Sequence, residues 1–158
     1  MSALYRTVLF LHVLSALWLA ASGFAGTVVR AHARRAPDLA GKASAFRIGR
    51  RLVTIFGLPG AILAGLTGLF LVFFNRPLLA MGWVRVSITL WAIMISTNLF
   101  YSFPRVLRTS AALEASLEAG APTDELKRLT ASKLPAIVAD LNALAIVVFV
   151  LLMVLKPF

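Results

Sequence analysis

The chain of 158 residues contains no cysteine and only six acidic residues. Without cysteine it has no disulfide, no thiolate metal site, no cysteine nucleophile and no covalent haem attachment through a Cys-x-x-Cys-His motif. Charged residues make up 14% of the sequence, whereas soluble domains carry about 25%. The sequence also lacks a phosphate-binding loop, an H-E-x-x-H motif and a nucleophile elbow. The composition excludes a water-soluble globular domain, and no motif supports nucleotide hydrolysis or zinc proteolysis.

Apolar residues are abundant instead, at 60% of the chain, and they include eleven Phe and three Trp. This apolar content excludes a disordered protein. The net charge is +10, but the basic residues lie in short segments between apolar runs. We therefore expect the anionic headgroups of a lipid bilayer as the partner, and no nucleic acid.

Charged residues divide the chain into four apolar stretches, and a helical span needs about 20 apolar residues. The stretches are residues 7–29, 52–75, 86–103 and 134–155. Lys or Arg bounds each stretch at both ends, where its side chain can reach the headgroups. The sequence therefore predicts a single all-α membrane domain over 1–158, built as a four-transmembrane-helix bundle.

The segment between spans three and four also has helical features. Residues 106–119 predict a helical extension of span three that ends at Gly120. Thr123 is a predicted N-cap, followed by acidic residues in the first turn, for a helix that runs into span four past a kink at Pro135. We expect a cytoplasmic helical hairpin at this end of the bundle.

Basic residues are distributed unequally between the two sides of the membrane. Segments 30–51 and 105–133 hold twelve of the sixteen Lys and Arg residues. Because positively charged loops stay in the cytoplasm, both termini are predicted to lie outside, in the periplasm of a bacterium whose inner membrane holds the protein. A cleaved signal peptide is the alternative for the first span, but its apolar run exceeds 7–15 residues and its basic cluster follows it.

Span two contains small residues at four-residue spacing, which lets helices approach closely in lipid. The two rows are Gly57, Ala61, Gly65 and Gly60, Ala64, Gly68. We predict that span two is the central helix. Pro59 is expected to kink it and to free a carbonyl that another helix, a hydroxyl or a water must satisfy.

Two ionisable residues lie inside the spans, and such residues are functional candidates because burying them in lipid is costly. His12 shares a helical stripe with Ser15, Ser22, Gly23 and Gly26, so we expect it to face the bundle interior. Its imidazole could be structural, or it could bind haem iron or copper. The only other histidine, His32, lies about 30 Å along the same axis.

The sequence alone does not determine which residue would be the second axial ligand of such an iron. The candidates are Met81 or Met153 near the outer side, Met94 near mid-span, or no residue. The other ionisable residue, Asp140, is predicted to sit against Asn98 in the cytoplasmic half of the bundle. Asn142 is a further polar intramembrane residue on the same span as Asp140.

Several short segments resemble a known group of membrane proteins. They are LHVLSALWLAASG near the N-terminus, Arg50-Arg51-Leu52 followed by Pro59 and then Gly68-Leu69, Trp83, and the ending FVLLMVLKP. The chain resembles small bacterial integral-membrane proteins of unknown function, a group similar to HemJ-type protoporphyrinogen oxidases and to the membrane domain of copper-resistance protein D. The resemblance covers nearly the whole chain.

The HemJ-type resemblance implies a b-type haem bound through the first-span histidine, which corresponds to His12 ahead of Trp18. It also implies a lysine after the Trp that opens span three, where this chain has Ser87, with Arg85 two residues earlier. The predicted cofactor-binding residues are His12, Ser15, Trp18 and Arg85, with His12 as the metal ligand. If the protein is an enzyme, the resemblance implies a HemJ-like oxidoreductase in redox or tetrapyrrole chemistry.

Two other classes of function stay open on the sequence. A copper or small-solute carrier would use His12 with outer Met residues as an entry site. A non-enzymatic assembly subunit would co-purify with a larger membrane complex. The sequence is also compatible with a homo-oligomer.

The predicted topology can be tested with reporter fusions. A periplasm-active reporter fused at the C-terminus of the full chain should be active, because the twelve-to-four Lys/Arg asymmetry keeps segments 30–51 and 105–133 in the cytoplasm. A fusion within 120–123 should show the opposite activity. A cytoplasmic C-terminus would contradict the prediction.

Overall fold

The computed structural model describes residues 2–157, which form helices and short connections with no strand. The helices are α1 (Ala3–Arg35), α2 (Leu39–Phe74), α3 (Gly82–Glu118), α4 (Asp124–Ala131) and α5 (Leu134–Leu155). A 3₁₀ turn, Arg76–Ala80, joins α2 to α3. Helices α1, α2, α3 and α5 are long and apolar enough to cross a membrane, which confirms the predicted four-helix class.

Three of the four spanning helices are longer than a membrane requires. Helices α1, α2 and α3 have 33, 36 and 37 residues, whereas about 20 suffice. The excess lies at one end of the bundle, where α1 ends, α2 begins and α3 ends. We call this the extended end, and we call the opposite end, where α1 begins and α5 ends, the terminal end.

Both α2 and α3 widen into a π-helical turn just before a proline. The turns are Leu52–Gly57, ahead of Pro59, and Asn98–Ser102, ahead of Pro104. Proline lacks an N–H and its ring clashes with the carbonyl four residues earlier, so a wider turn accommodates it. The distortion expected at Pro59 is therefore a π turn, and the Ser22 hydroxyl donates to the Leu52 carbonyl there at 3.2 Å.

Pro135 does not kink a continuous helix, contrary to the sequence-based expectation. Helix α4 ends at Ala131, and α5 begins at Leu134 with the proline in its first turn. A proline is well tolerated there because the first N–H groups of a helix have no partner within it. The two helices are therefore separate elements.

Glycines in α2 allow neighbouring helices to approach its backbone. A Cβ atom on Gly60 would lie 2.8 Å from the backbone nitrogen of Leu19, so α1 and α2 meet backbone to backbone. On another face of α2, Gly65 lies under the Trp91 ring, whose indole N–H donates to the Ala61 carbonyl at 2.8 Å. Helix α2 thus packs against both α1 and α3, as predicted for the central helix.

The four spanning helices meet in one buried cluster. Its core is Ala61 of α2, Met94 of α3 and Ala145 of α5, with Leu19 of α1 packed against them. Many large apolar side chains of the same helices point outward, such as Phe73 and Val154, which are 66% and 72% exposed. Outward-facing apolar residues suit helices surrounded by lipid.

A second buried cluster lies at the extended end. It joins the first part of α2, the last part of α3 and α4, with Ala43, Ala112, Leu113 and Leu126 at its centre. This confirms the predicted extension of α3 and the hairpin that follows it. The helical start of α2, Leu39–Arg51, was not predicted from the sequence.

Two polar residues close the hairpin. The fully buried Ser116 hydroxyl accepts the backbone N–H of Thr123 at 3.1 Å, and its oxygen lies 2.7 Å from the Ala112 carbonyl. The Thr123 hydroxyl accepts the N–H of Leu126, which confirms Thr123 as an N-cap. Gly120 adopts a φ of 68°, so it ends the extension in a conformation that favours glycine.

The backbone contact at Gly60 gives a stability prediction. Gly60→Ala should lower the free energy of unfolding in mixed micelles by about 1–3 kcal/mol, because the added methyl forces α1 and α2 apart. Gly26→Ala is the matched control, since its methyl would come no nearer than 3.6 Å to the atom it meets. Equal stability of the two variants would contradict the proposed packing.

Candidate functional site

His12 is held against α2 by its Nδ1 atom. This nitrogen lies 3.0 Å from the Ala64 carbonyl oxygen and 3.1 Å from the Thr67 hydroxyl. The ring also rests on Gly68, where a Cβ would lie 3.1 Å from His12 Cε1. The side chain is half-buried, and its Nδ1 edge contacts α2, which agrees with the inward orientation predicted from the helical stripe.

The partners of Nδ1 decide which ring nitrogen carries the proton. The Ala64 carbonyl can only accept a hydrogen bond. The Thr67 hydroxyl donates to the Leu63 carbonyl at 2.6 Å, so it too is available as an acceptor. Nδ1 is therefore the donor, and the neutral imidazole keeps its lone pair on Nε2.

The Nε2 atom is open to a ligand from outside the bundle. Within residues 2–157 it has no hydrogen-bond partner, and the one buried polar side-chain atom lacking a partner there is the Ser110 hydroxyl. Nε2 is therefore at least partly exposed. Residues 2–157 hold no group of three or more His, Asp or Glu side chains arranged for a metal ion.

The other predicted cofactor residues do not gather around the imidazole. Ser15 is buried, but its hydroxyl donates to the backbone carbonyl of His12 at 2.9 Å. The Trp18 ring packs on Phe56, with centroids 5.8 Å apart, and at 100° per residue it points about 120° away from His12 around α1. Arg85 is exposed in the first turns of α3.

Sequence reasoning missed Ala64 and Thr67 as the partners of His12. Their signal was weak, because Ala64 contributes only a backbone carbonyl and Thr67 is one of several hydroxyl residues in the spans. Of the candidate second ligands, Met94 is 3% exposed inside the bundle core, whereas Met81 is 42% exposed. The surface position of Nε2 does not favour the enclosed Met94.

Asp140 forms an ion pair with Arg30 of α1. The Arg30 Nη2 and Asp140 Oδ1 atoms are 2.7 Å apart, and 31% and 65% of the two side chains are exposed. The predicted contact of Asp140 with Asn98 is wrong, because the carboxylate faces α1. A cation at this depth compensates the charge better than a neutral amide does. Arg30 was missed because it marks the end of the first apolar stretch.

Asn98 has a different partner on α5. The Asn142 side-chain amide donates to the Asn98 oxygen at 3.2 Å, and the Asn98 amide donates to the Met94 carbonyl at 2.8 Å. Asn98 opens the π turn of α3. The Asn98–Asn142 pair therefore links α3 to α5 beside the Arg30–Asp140 pair that links α1 to α5.

The two sites are far apart. His12 and Arg30 lie on the same helix, about 27 Å apart along its axis at 1.5 Å per residue. The imidazole thus lies near the terminal end, and the ion pair lies near the extended end. His12 and Asp140 therefore bond different partners.

Four apolar spanning helices with polar contacts turned toward one another define an integral membrane protein. The chain belongs to the family described as predicted integral membrane protein (DUF2269), whose model matches residues 6–157. No curated protein and no solved structure matches the chain. The family confirms the membrane-protein part of the resemblance, and the likeness to HemJ-type proteins and copper-resistance protein D stays a prediction.

The Arg30–Asp140 pair should be measurable by a double-mutant cycle. Arg30→Gln and Asp140→Asn should each destabilise the bundle, and the double variant should recover part of the loss, with a coupling of roughly 1–2 kcal/mol. Unfolding in mixed micelles would provide the free energies. The control cycle uses the exposed Arg47–Glu114 pair, at 3.8 Å, for which we expect less than about 0.5 kcal/mol. Equal couplings would show that lipid does not strengthen the Arg30 contact.

Proposed function

We propose that this membrane protein binds a b-type haem through Nε2 of His12. The observation that carries the proposal is the hydrogen bond from Nδ1 to the Ala64 carbonyl. Metal-ligating histidines characteristically donate their other ring N–H to a carbonyl or carboxylate, which fixes the tautomer and orients the ring. Here a backbone carbonyl fixed by the α2 helix performs that role.

The donor atom of His12 suits a haem iron. The cavity lined by Phe74 and the cavity lined by Arg105 do not include His12. The haem would therefore bind where the imidazole reaches the bundle surface beside α1 and α2. When bound, such a group supplies one-electron redox chemistry. The chain itself would contribute the ligand and its orientation.

Charge supports a location for this site in the membrane. The basic extended end is proposed to face the cytoplasm of a bacterium, which puts His12 in the periplasmic half of the inner membrane. The ligand would then be reachable from the periplasm. Redox or tetrapyrrole chemistry like that of HemJ-type proteins is the activity proposed for it, with Ser87 in place of the expected lysine as the main difference.

Absorption spectroscopy of the protein purified in mild detergent tests the proposal. Wild type, supplied with haem during expression, should show a Soret band, and His12→Ala should abolish it while the folded yield is unchanged. His32→Ala is the matched control on the same helix, because His32 is exposed at the extended end. A Soret band that survives His12→Ala would contradict the assignment.

The hydrogen bond to Nδ1 gives a finer test. Thr67→Val removes one acceptor of the Nδ1 proton and should weaken haem affinity on the order of tenfold, since second-shell partners contribute about 10–100-fold. Thr97→Val is the control, because the Thr97 hydroxyl bonds only the Ile93 carbonyl of its own helix. If the wild type stays colourless after haem supplementation, the haem proposal fails. The hypotheses to test next would then be copper or small-solute transport and a role as an assembly subunit.

A further inference from the structure

A cavity of about 180 Å³ opens between α3 and α4 at the extended end. It begins at the π turn Asn98–Ser102, where the apolar part of α3 ends. Its lining is Phe100, Tyr101, Pro104, Arg105, Arg108 and Leu129. Phe100 and Tyr101 therefore stand at its membrane side, and the two guanidinium groups stand toward the headgroup region.

The positive charges of the two cavity arginines are not neutralised by acidic side chains of the described residues. Within residues 2–157 neither Arg105 nor Arg108 is part of an ion pair. The cavity lining includes no carboxylate. The acidic residues of α4, Asp124 and Glu125, pair with Lys127 and Arg128 of their own helix. The cavity thus presents uncompensated positive charge.

The Arg105 side chain is held in place. Its Nη2 donates to the Leu129 carbonyl of α4, and its guanidinium carbon lies 6.0 Å from the centroid of the Tyr101 ring. A guanidinium has five N–H donors, so most of them stay free for another acceptor. A fixed, planar guanidinium is well suited to bind a phosphate group.

The apolar edge of the cavity suits an acyl chain. Phe100 is 82% exposed, the highest value among the exposed large apolar residues of the described chain. It stands within the π turn, one residue before Tyr101. A ligand that matches both edges carries a phosphate next to a hydrocarbon chain.

We propose that this cavity is a binding site for one anionic phospholipid of the phosphatidylglycerol type. The phosphodiester accepts hydrogen bonds from Arg105 and Arg108, and an acyl chain lies over Phe100. Anionic headgroups are attracted to basic residues anywhere near a membrane surface. This site differs from general attraction because its arginines line a cavity and one of them is held by two neighbours.

Lipid titration of the full chain in mild detergent tests the site. Phosphatidylglycerol should raise the midpoint of thermal unfolding by several degrees more than phosphatidylcholine at the same mole fraction. Inorganic phosphate at matched concentration should give no comparable shift, because it lacks the acyl chain. Equal stabilisation by phosphatidylcholine, or by inorganic phosphate, would overturn the assignment to an anionic lipid.

Variants localise the effect. Arg108→Gln should weaken phosphatidylglycerol binding about tenfold, measured as lipid adducts by native mass spectrometry, because it removes a charged hydrogen-bond donor to the phosphate. Arg34→Gln is the matched control, because Arg34 is exposed at the same end and lines neither cavity. Arg108 is chosen because Arg105→Gln would also lose the contact with the Leu129 carbonyl and could fail to fold. If Arg108→Gln and Arg34→Gln weakened phosphatidylglycerol binding equally, the lipid would be held by general electrostatic attraction, and the proposal would be overturned.

Discussion

The close approach of α1 to α2 is the contact on which the rest of the bundle depends. Lipid provides no hydrophobic drive for helix association, so packing and internal hydrogen bonds must hold the helices together. Gly60 lets the two backbones meet at Leu19, and Gly68 has no side chain to displace the His12 ring that packs against it. Because the helices are this close, Ser22 can reach the Leu52 carbonyl in the π turn and His12 can reach Ala64.

The polar groups of the spans are separated into two levels. Near the terminal end, His12 is bound to a backbone carbonyl and to a hydroxyl, both supplied by α2. Near the extended end, α5 is tied to α1 by Arg30–Asp140 and to α3 by Asn98–Asn142. His12, Asp140 and Asn142 thus each have a polar partner on another helix, which limits the cost of placing them there.

Proline placement links the membrane part to the helical extensions. Pro59 and Pro104 each follow a π turn close to the boundary between an apolar span and its basic extension. The extensions then pack on one another around Ala43, Ala112 and Leu126. The same π turn in α3 exposes Phe100 and sets Tyr101 beside Arg105. One local distortion therefore shapes both the helix path and the cavity next to it.

Local patterns predicted much of this architecture. The four spans, the extension over 106–119, the stop at Gly120, the cap at Thr123 and the central position of α2 follow from hydropathy and from small or capping residues. These signals act over one helix turn to one span, which is why the sequence alone carries them. The inward orientation of His12 likewise followed from its helical stripe.

Only the tertiary structure decided which side chains pair across neighbouring helices. Counting residues gives the depth of Asp140 in the bilayer, but several residues share that depth, and rotation of α5 selects Arg30 rather than Asn98. In the same way, only the packed bundle brings Ala64 and Thr67 to His12 and turns Trp18 away. The sequence by itself determined which segments cross the membrane, because transfer into lipid depends on composition. The rotation of each helix about its axis depends on contacts between segments far apart in the chain, so the fold alone decided which side chains meet.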